Sequence, residues 1–163
     1  MASLIQIWNG CDMTDSEIGD FVGLVVRGGA VGEPELVRRG LKRTGAMALL
    51  SRISGETVGV AARKVPKDSY RRGLEEKSGQ GLPKGEYPFE LGYVSVHPDY
   101  EGRGIGRELS EKAVGLSEGQ GIFATTADSG MIRILSGLGF SCVGRSWPNP
   151  DRRELHLYIR KPG

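Results

Sequence analysis

The sequence predicts a single domain of mixed α/β class, and three observations predict it. Its 163 residues suit one domain, residues 1–163, and are enough to bury a core. Strand-like and helix-like apolar patterns alternate along it in the order βααββ, then βα, then βα followed by two strands. No linker, internal repeat or low-complexity tract breaks that order. The 26 glycines, against a usual share of about 7%, are scattered and read as tight turns.

Residues 3–8 alternate loosely and suit a short edge strand. Thr14 and Glu17 have the spacing of a capping box, and Ile18, Phe21, Val22 and Val25 follow at the spacing of an amphipathic helix that Gly28-Gly29 ends. Pro34 opens a second helix carrying Leu36, Val37 and Leu41. Met47–Ile53 and Thr57–Ala62 form a hairpin around Ser54-Gly55. Residues 63–88 are a long excursion with a short helix around Ser69–Lys77.

Glu90–Val96 is the clearest strand, stopped by His97-Pro98-Asp99. A glycine-rich loop leads at once into a helix with Ile105, Leu109, Ala113 and Leu116 on one face. Gly121–Thr126 is a further strand. Met131, Ile134, Leu135 and Leu138 mark the last helix, ended by Gly139. Ser141–Gly144 and Glu154–Arg160 close the chain as strands, joined by a turn at Trp147–Asp151.

Composition narrows the function. Hydrophobic residues are 38% and charged ones 26%, as in an ordinary soluble globular protein. A net charge of +2 does not indicate a nucleic-acid partner. Two cysteines without CxxC spacing and two histidines do not make a zinc cluster, so no metal is expected. The N-terminal stretch Met1–Trp8 has neither a basic start nor a long apolar core, and no stretch has the roughly 20 apolar residues of a membrane span. A reducing cytoplasm is the expected compartment, with no membrane partner.

The chemistry concentrates at Glu101-Gly102-Arg103-Gly104-Ile105-Gly106-Arg107. Glycines let a ligand approach the backbone, and the first N–H groups of the following helix have no partner within it. With the positive end of the helix dipole there, a phosphate or pyrophosphate fits. A Rossmann fingerprint needs a third glycine where Leu109 stands, and a P-loop needs Gly-Lys-Ser/Thr where Gly106-Arg107-Glu108 stands.

The stretch Leu91–Leu109 resembles the signature of the GNAT superfamily of N-acetyltransferases, whose central pattern is [QR]-x-x-G-x-[GA] after a strand ending near V-x-P. Asp128–Phe140 resembles that superfamily's second motif, N-x-x-A-x-x-[LF]-Y-x-x-x-G-F. The resemblance implies the GNAT fold, a mixed, mostly antiparallel sheet of about seven strands flanked by about four helices. It also implies acetyl-coenzyme A as co-substrate, an amine acceptor it does not identify, and room for a homodimer. By position, Glu101, Gly102, Arg103, Gly104, Ile105, Gly106 and Arg107 would hold the pyrophosphate. Val94, Ser95 and Val96 would meet the pantetheine arm, and the Val96 N–H would polarise the thioester carbonyl. Asp128 and Leu135 occupy cofactor-side positions of the second motif.

Three positions depart from the pattern. Glu101 replaces Gln or Arg, Asp128 replaces Asn, and Leu135 replaces the Tyr that commonly protonates the departing thiolate. The best base candidate is Glu90, where family members often carry a carboxylate. Tyr93 and Ser95, two residues apart, share one expected face of the strand, as a proton donor or as packing. His97 reads as a turn residue, Cys142 as a packed small hydrophobe, and Trp147, His156 and Tyr158 as core or acceptor-side residues. Tyr70, Arg71 and Arg72 read as a solvated charge run or a substrate lid. Two other readings stay open: a non-enzymatic coenzyme A-binding module, and a phosphate- or nucleotide-binding α/β domain.

Overall fold

A computed structural model describes residues 3–29 and 32–163, so Met1 and Ala2 of the N-terminal reading lie outside the described residues. Among the described residues there are seven strands: β1 Leu4–Asn9, β2 Met47–Ile53, β3 Glu56–Lys64, β4 Phe89–Val96, β5 Ile122–Thr126, β6 Ser141–Pro148 and β7 Glu154–Arg160. The same residues form five α-helices: α1 Asp15–Arg27, α2 Pro34–Leu41, α3 Asp68–Ser78, α4 Ile105–Gly115 and α5 Ser129–Gly137. The strands form one mixed sheet in the order β1-β2-β3-β4-β5-β7-β6, which is the expected class. Pairing is antiparallel for β1–β2, β2–β3, β5–β7 and β6–β7, and parallel for β4–β5.

By compactness the chain divides into two interleaved units, Met1–Val65 with Leu91–Leu116, and Pro66–Glu90 with Ser117–Gly163. In the first, Thr14 caps α1, the N-cap half of the expected capping box. The Glu17 N–H donates to the Thr14 hydroxyl at 3.3 Å, and that hydroxyl donates to the Glu17 carboxylate. Pro34 opens α2 as expected. The apolar faces of α1 and α2 cover Ala48, Leu50, Val60 and Ala62. Residues of opposite parity on β3 face α4, because successive strand side chains alternate. Gly59 is needed there, since a Cβ would stand 2.8 Å from Ile105.

In the second unit, α3 packs on β6 over a core that includes Leu74, Leu82, Tyr87, Phe123, Trp147 and Leu157. Here the last strand pair departs from expectation. β6 runs on to Pro148, with Trp147 opposite Leu155, so Trp147 belongs to a strand and not to the turn. The turn is Asn149–Arg153, closed by Asn149 N–H to Arg153 O at 2.8 Å. Proline is tolerated because β6 is the last strand of the sheet, where an N–H facing outward is dispensable.

Candidate active site

β4 carries the central irregularity. Tyr93 has a φ of 57°, in the left-handed region that a bulky residue enters at a cost of about 1–2 kcal/mol. Such a residue persists only where its surroundings hold it. Three contacts do so within the first unit. The Phe21 ring meets Tyr93 edge-on at 6.0 Å, the Lys64 ammonium sits 4.4 Å from the ring centroid, and the hydroxyl lies over Gly40 of α2. Gly92 leaves the space through which the Lys64 stem passes, since a Cβ there would come within 2.5 Å of it. Ser95 faces the end of α1, where a Cβ on Gly28 would stand 3.0 Å from its hydroxyl. Glu90 lies three residues before Tyr93, so alternation would not put the two on one face, and the left-handed φ of Tyr93 interrupts the extended geometry that would link Tyr93 to Ser95.

After Val96 the chain makes a 3-10 turn, Pro98–Tyr100. His97 caps it as a turn residue, its Nδ1 accepting from the Asp99 N–H at 3.1 Å. The loop then turns through Gly102 at φ 77° and Gly104 at φ 79°, both positive values that favour glycine. Gly104 is the N-cap of α4, and the first helical bond runs from Glu108 N–H to Gly104 O at 3.0 Å. The N–H groups of Ile105, Gly106 and Arg107 therefore have no acceptor in the helix. Nothing lies within 4 Å of a Cβ built on Gly102 or Gly104, so this face of the loop is open. Glu101, Arg103 and Arg107 are exposed, and the Arg103 guanidinium lies 4.8 Å from the Tyr100 ring centroid.

Glu90 belongs to the second unit. The parallel ladder to β5 comprises Phe89 with Ile122 and Glu90 with Phe123. Glu90 is 3% exposed and its Oε2 accepts from the Tyr70 hydroxyl at 2.8 Å. Arg71, expected in a solvated charge run, is instead 5% exposed. Its Nη1 donates to the carbonyls of Leu82 at 3.1 Å and Tyr87 at 2.6 Å. Burial pushes the Arg71 guanidinium down from its usual range, and Asp68, Glu75 and Glu90 pull the other way. The signal was present in the spacing: Arg71, Leu74 and Ser78 form one helical face, but counting apolar residues alone passes over it.

The second motif has clear local roles. Asp128 caps α5, accepting from the Met131 N–H at 2.8 Å. Leu135 is fully buried and offers no proton. Cys142 is exposed, and not the packed hydrophobe expected, with its Sγ 3.8 Å from His156 Nδ1. Trp147 and Tyr158 are buried. Burial first, then Cys142, pushes the Tyr158 phenol up from its usual 10.0. Among the described residues, no group of three or more His, Cys, Asp or Glu side chains could hold a metal, and no helix is long and apolar enough to cross a membrane.

Residues 33–140 match the model of the acetyltransferase (GNAT) family. That defines an acyltransferase of the acetyltransferase class. The chain belongs to the GNAT family. Solved structures agree on the fold. ElaA of Escherichia coli aligns with a TM-score of 0.74 at 13% identity, covering 98% of this chain and 99% of that one. The yncA protein of Salmonella typhimurium, solved with its cofactor acetyl-CoA, aligns with a TM-score of 0.68 at 17% identity over 100% and 95%. The ribosomal-protein-S18-alanine N-acetyltransferase of Escherichia coli aligns with a TM-score of 0.69 at 15% identity over 98% and 95%. At these identities the likeness is one of fold. No curated protein matches the sequence closely enough to count as a relative.

Proposed function

We propose that the chain, as one domain over residues 1–163, transfers an acetyl group from acetyl-coenzyme A to a primary amine by direct attack on the thioester. The observation that carries the reading is the start of α4. A left-handed Gly104 on an open loop leads into a helix whose first N–H groups point out unpartnered, the geometry that accepts a pyrophosphate. The relative solved with acetyl-CoA supports the choice of that donor.

In this reading the Glu101–Arg107 loop binds the pyrophosphate. The backbone of Val94, Ser95 and Val96 holds the pantetheine arm, and the Val96 N–H stabilises the oxyanion of the tetrahedral intermediate. Glu90 takes the proton that the amine nitrogen loses as its bond to the acetyl carbon forms. The thiolate then leaves with the electron pair of the broken C–S bond. Leu135 cannot protonate it, which leaves that proton to water or to Tyr93. Asp128 serves here by holding the start of α5. Thiol release from acetyl-coenzyme A across a panel of small amines, aminoacyl groups and protein amines tests the reading. Amine-dependent release supports it. Tight donor binding without turnover on any amine favours a coenzyme A-binding module, the second reading, which the apolar, buried Leu135 motivates.

A further inference from the structure

The proposed base has a built connection that the family reading does not assign. Glu90 is 3% exposed, so its carboxylate has given up nearly all of its water and depends on the protein for hydrogen bonding. The Tyr70 hydroxyl supplies one at 2.8 Å, to Oε2. Tyr70 itself is 39% exposed. One side chain thus touches both the buried carboxylate and bulk water.

The turn that carries Tyr70 is anchored. Its neighbour Arg71 is buried, bonds the Leu82 and Tyr87 carbonyls, and lies 5.5 Å from the Phe123 ring centroid. Asp68, at the start of the same helix, pairs with Lys84 at 3.4 Å. These contacts present the Tyr70 hydroxyl to Glu90 at a set position. Arg71 also attracts the Glu90 carboxylate electrostatically, as it does Asp68 and Glu75.

From this arrangement we infer that Tyr70 is a positioning residue for Glu90 and the exit for its proton, an inference that rests on Glu90 acting as the base. The amine N–H proton forms an O–H bond on the Glu90 carboxylate. The Tyr70 hydroxyl then turns its hydrogen from Oε2 to water, the proton on the Glu90 carboxyl passes to the Tyr70 oxygen, and Tyr70 gives its original proton to that water. Glu90 is left as carboxylate and Tyr70 as neutral phenol, and no electrons change hands.

The test is a double-mutant cycle on thiol release from acetyl-coenzyme A, with the best amine of the panel or with water as acceptor. Tyr70→Phe keeps the ring and removes only the hydroxyl. It is expected to lower kcat about tenfold while KM for acetyl-coenzyme A stays within about twofold. In a Glu90→Gln background the same change is expected to cost nothing further, because Tyr70 acts through Glu90. An unchanged kcat in Tyr70→Phe, or losses that multiply in the double variant, overturns the inference. Full activity in Glu90→Gln alone is a separate result, and it removes the base itself. A melting temperature of Tyr70→Phe within a few degrees of the parent protein ties the rate effect to the hydroxyl, and a collapsed fold would count against a positioning role.

Discussion

The Tyr93 hydroxyl lies over Gly40 so closely that a Cβ on Gly40 would stand 2.4 Å from it. The contact ties α2 to the left-handed residue of β4. Gly40 lies inside α2, where alanine would ordinarily add about 1 kcal/mol of helix stability. Here the overpacking, typically about 1–3 kcal/mol, wins, because Phe21 and Lys64 keep the Tyr93 ring from moving aside. Gly40→Ala should therefore lower the melting temperature by a few degrees. In a Tyr93→Phe background the nearest ring atom stands at 3.4 Å, and the same substitution should raise the melting temperature. Equal signs in both backgrounds would contradict the contact.

Glu90→Gln keeps the shape of a fully packed side chain while removing its charge. If Glu90 takes the amine proton, kcat should fall by about a hundredfold, a typical contribution for a positioned base. Affinity for acetyl-coenzyme A, measured by calorimetry, should stay the same, because the proposed pyrophosphate contacts lie in the Glu101–Arg107 loop. A weakened affinity with unchanged kcat would assign Glu90 to structure instead.

Two buried phenols set an alkaline limit. Burial pushes Tyr87 up from 10.0, with Glu86 adding to it, and burial with Cys142 pushes Tyr158 up as well. Below the unfolded value both states keep the proton, so the stabilisation is fully present. As pH rises past that value the unfolded chain releases its protons first, and stability falls until the folded phenols titrate too. Melting temperature measured from pH 8 upward should drop steeply above about pH 10, and Tyr158→Phe should flatten that drop. An identical slope in the variant would remove Tyr158 as a cause.

Much of the fold was legible because its signals are local. The Thr14–Glu17 box, Pro34 at a helix start and the Ser54-Gly55 turn each act within a few residues. The glycine loop was legible for the same reason, since Gly104 needs only its own φ to do its work. Features set by distant partners were hidden. Tyr93 adopts a left-handed φ because Phe21, Gly40 and Lys64, far off in sequence, shape its surroundings. Arg71 is buried because the Leu82 and Tyr87 carbonyls need its donors, so a charged residue occupies a face that apolar periodicity does not mark. Cys142 looked apolar in a strand but lies on an exposed face beside His156. The extension of β6 through Trp147 depends on a bulge between Val143 and Trp147, which no local pattern announces.

The central claim is that the start of α4 holds the pyrophosphate of acetyl-coenzyme A. Calorimetric titration of acetyl-coenzyme A into the parent protein and into Gly104→Asp tests it most directly. Gly104 has a φ of 79°, and an aspartate there adds both backbone strain and a negative charge at the open N–H groups. The account predicts saturable binding to the parent protein and its loss in Gly104→Asp, with the variant still melting cooperatively. Unchanged affinity in the folded variant would contradict it.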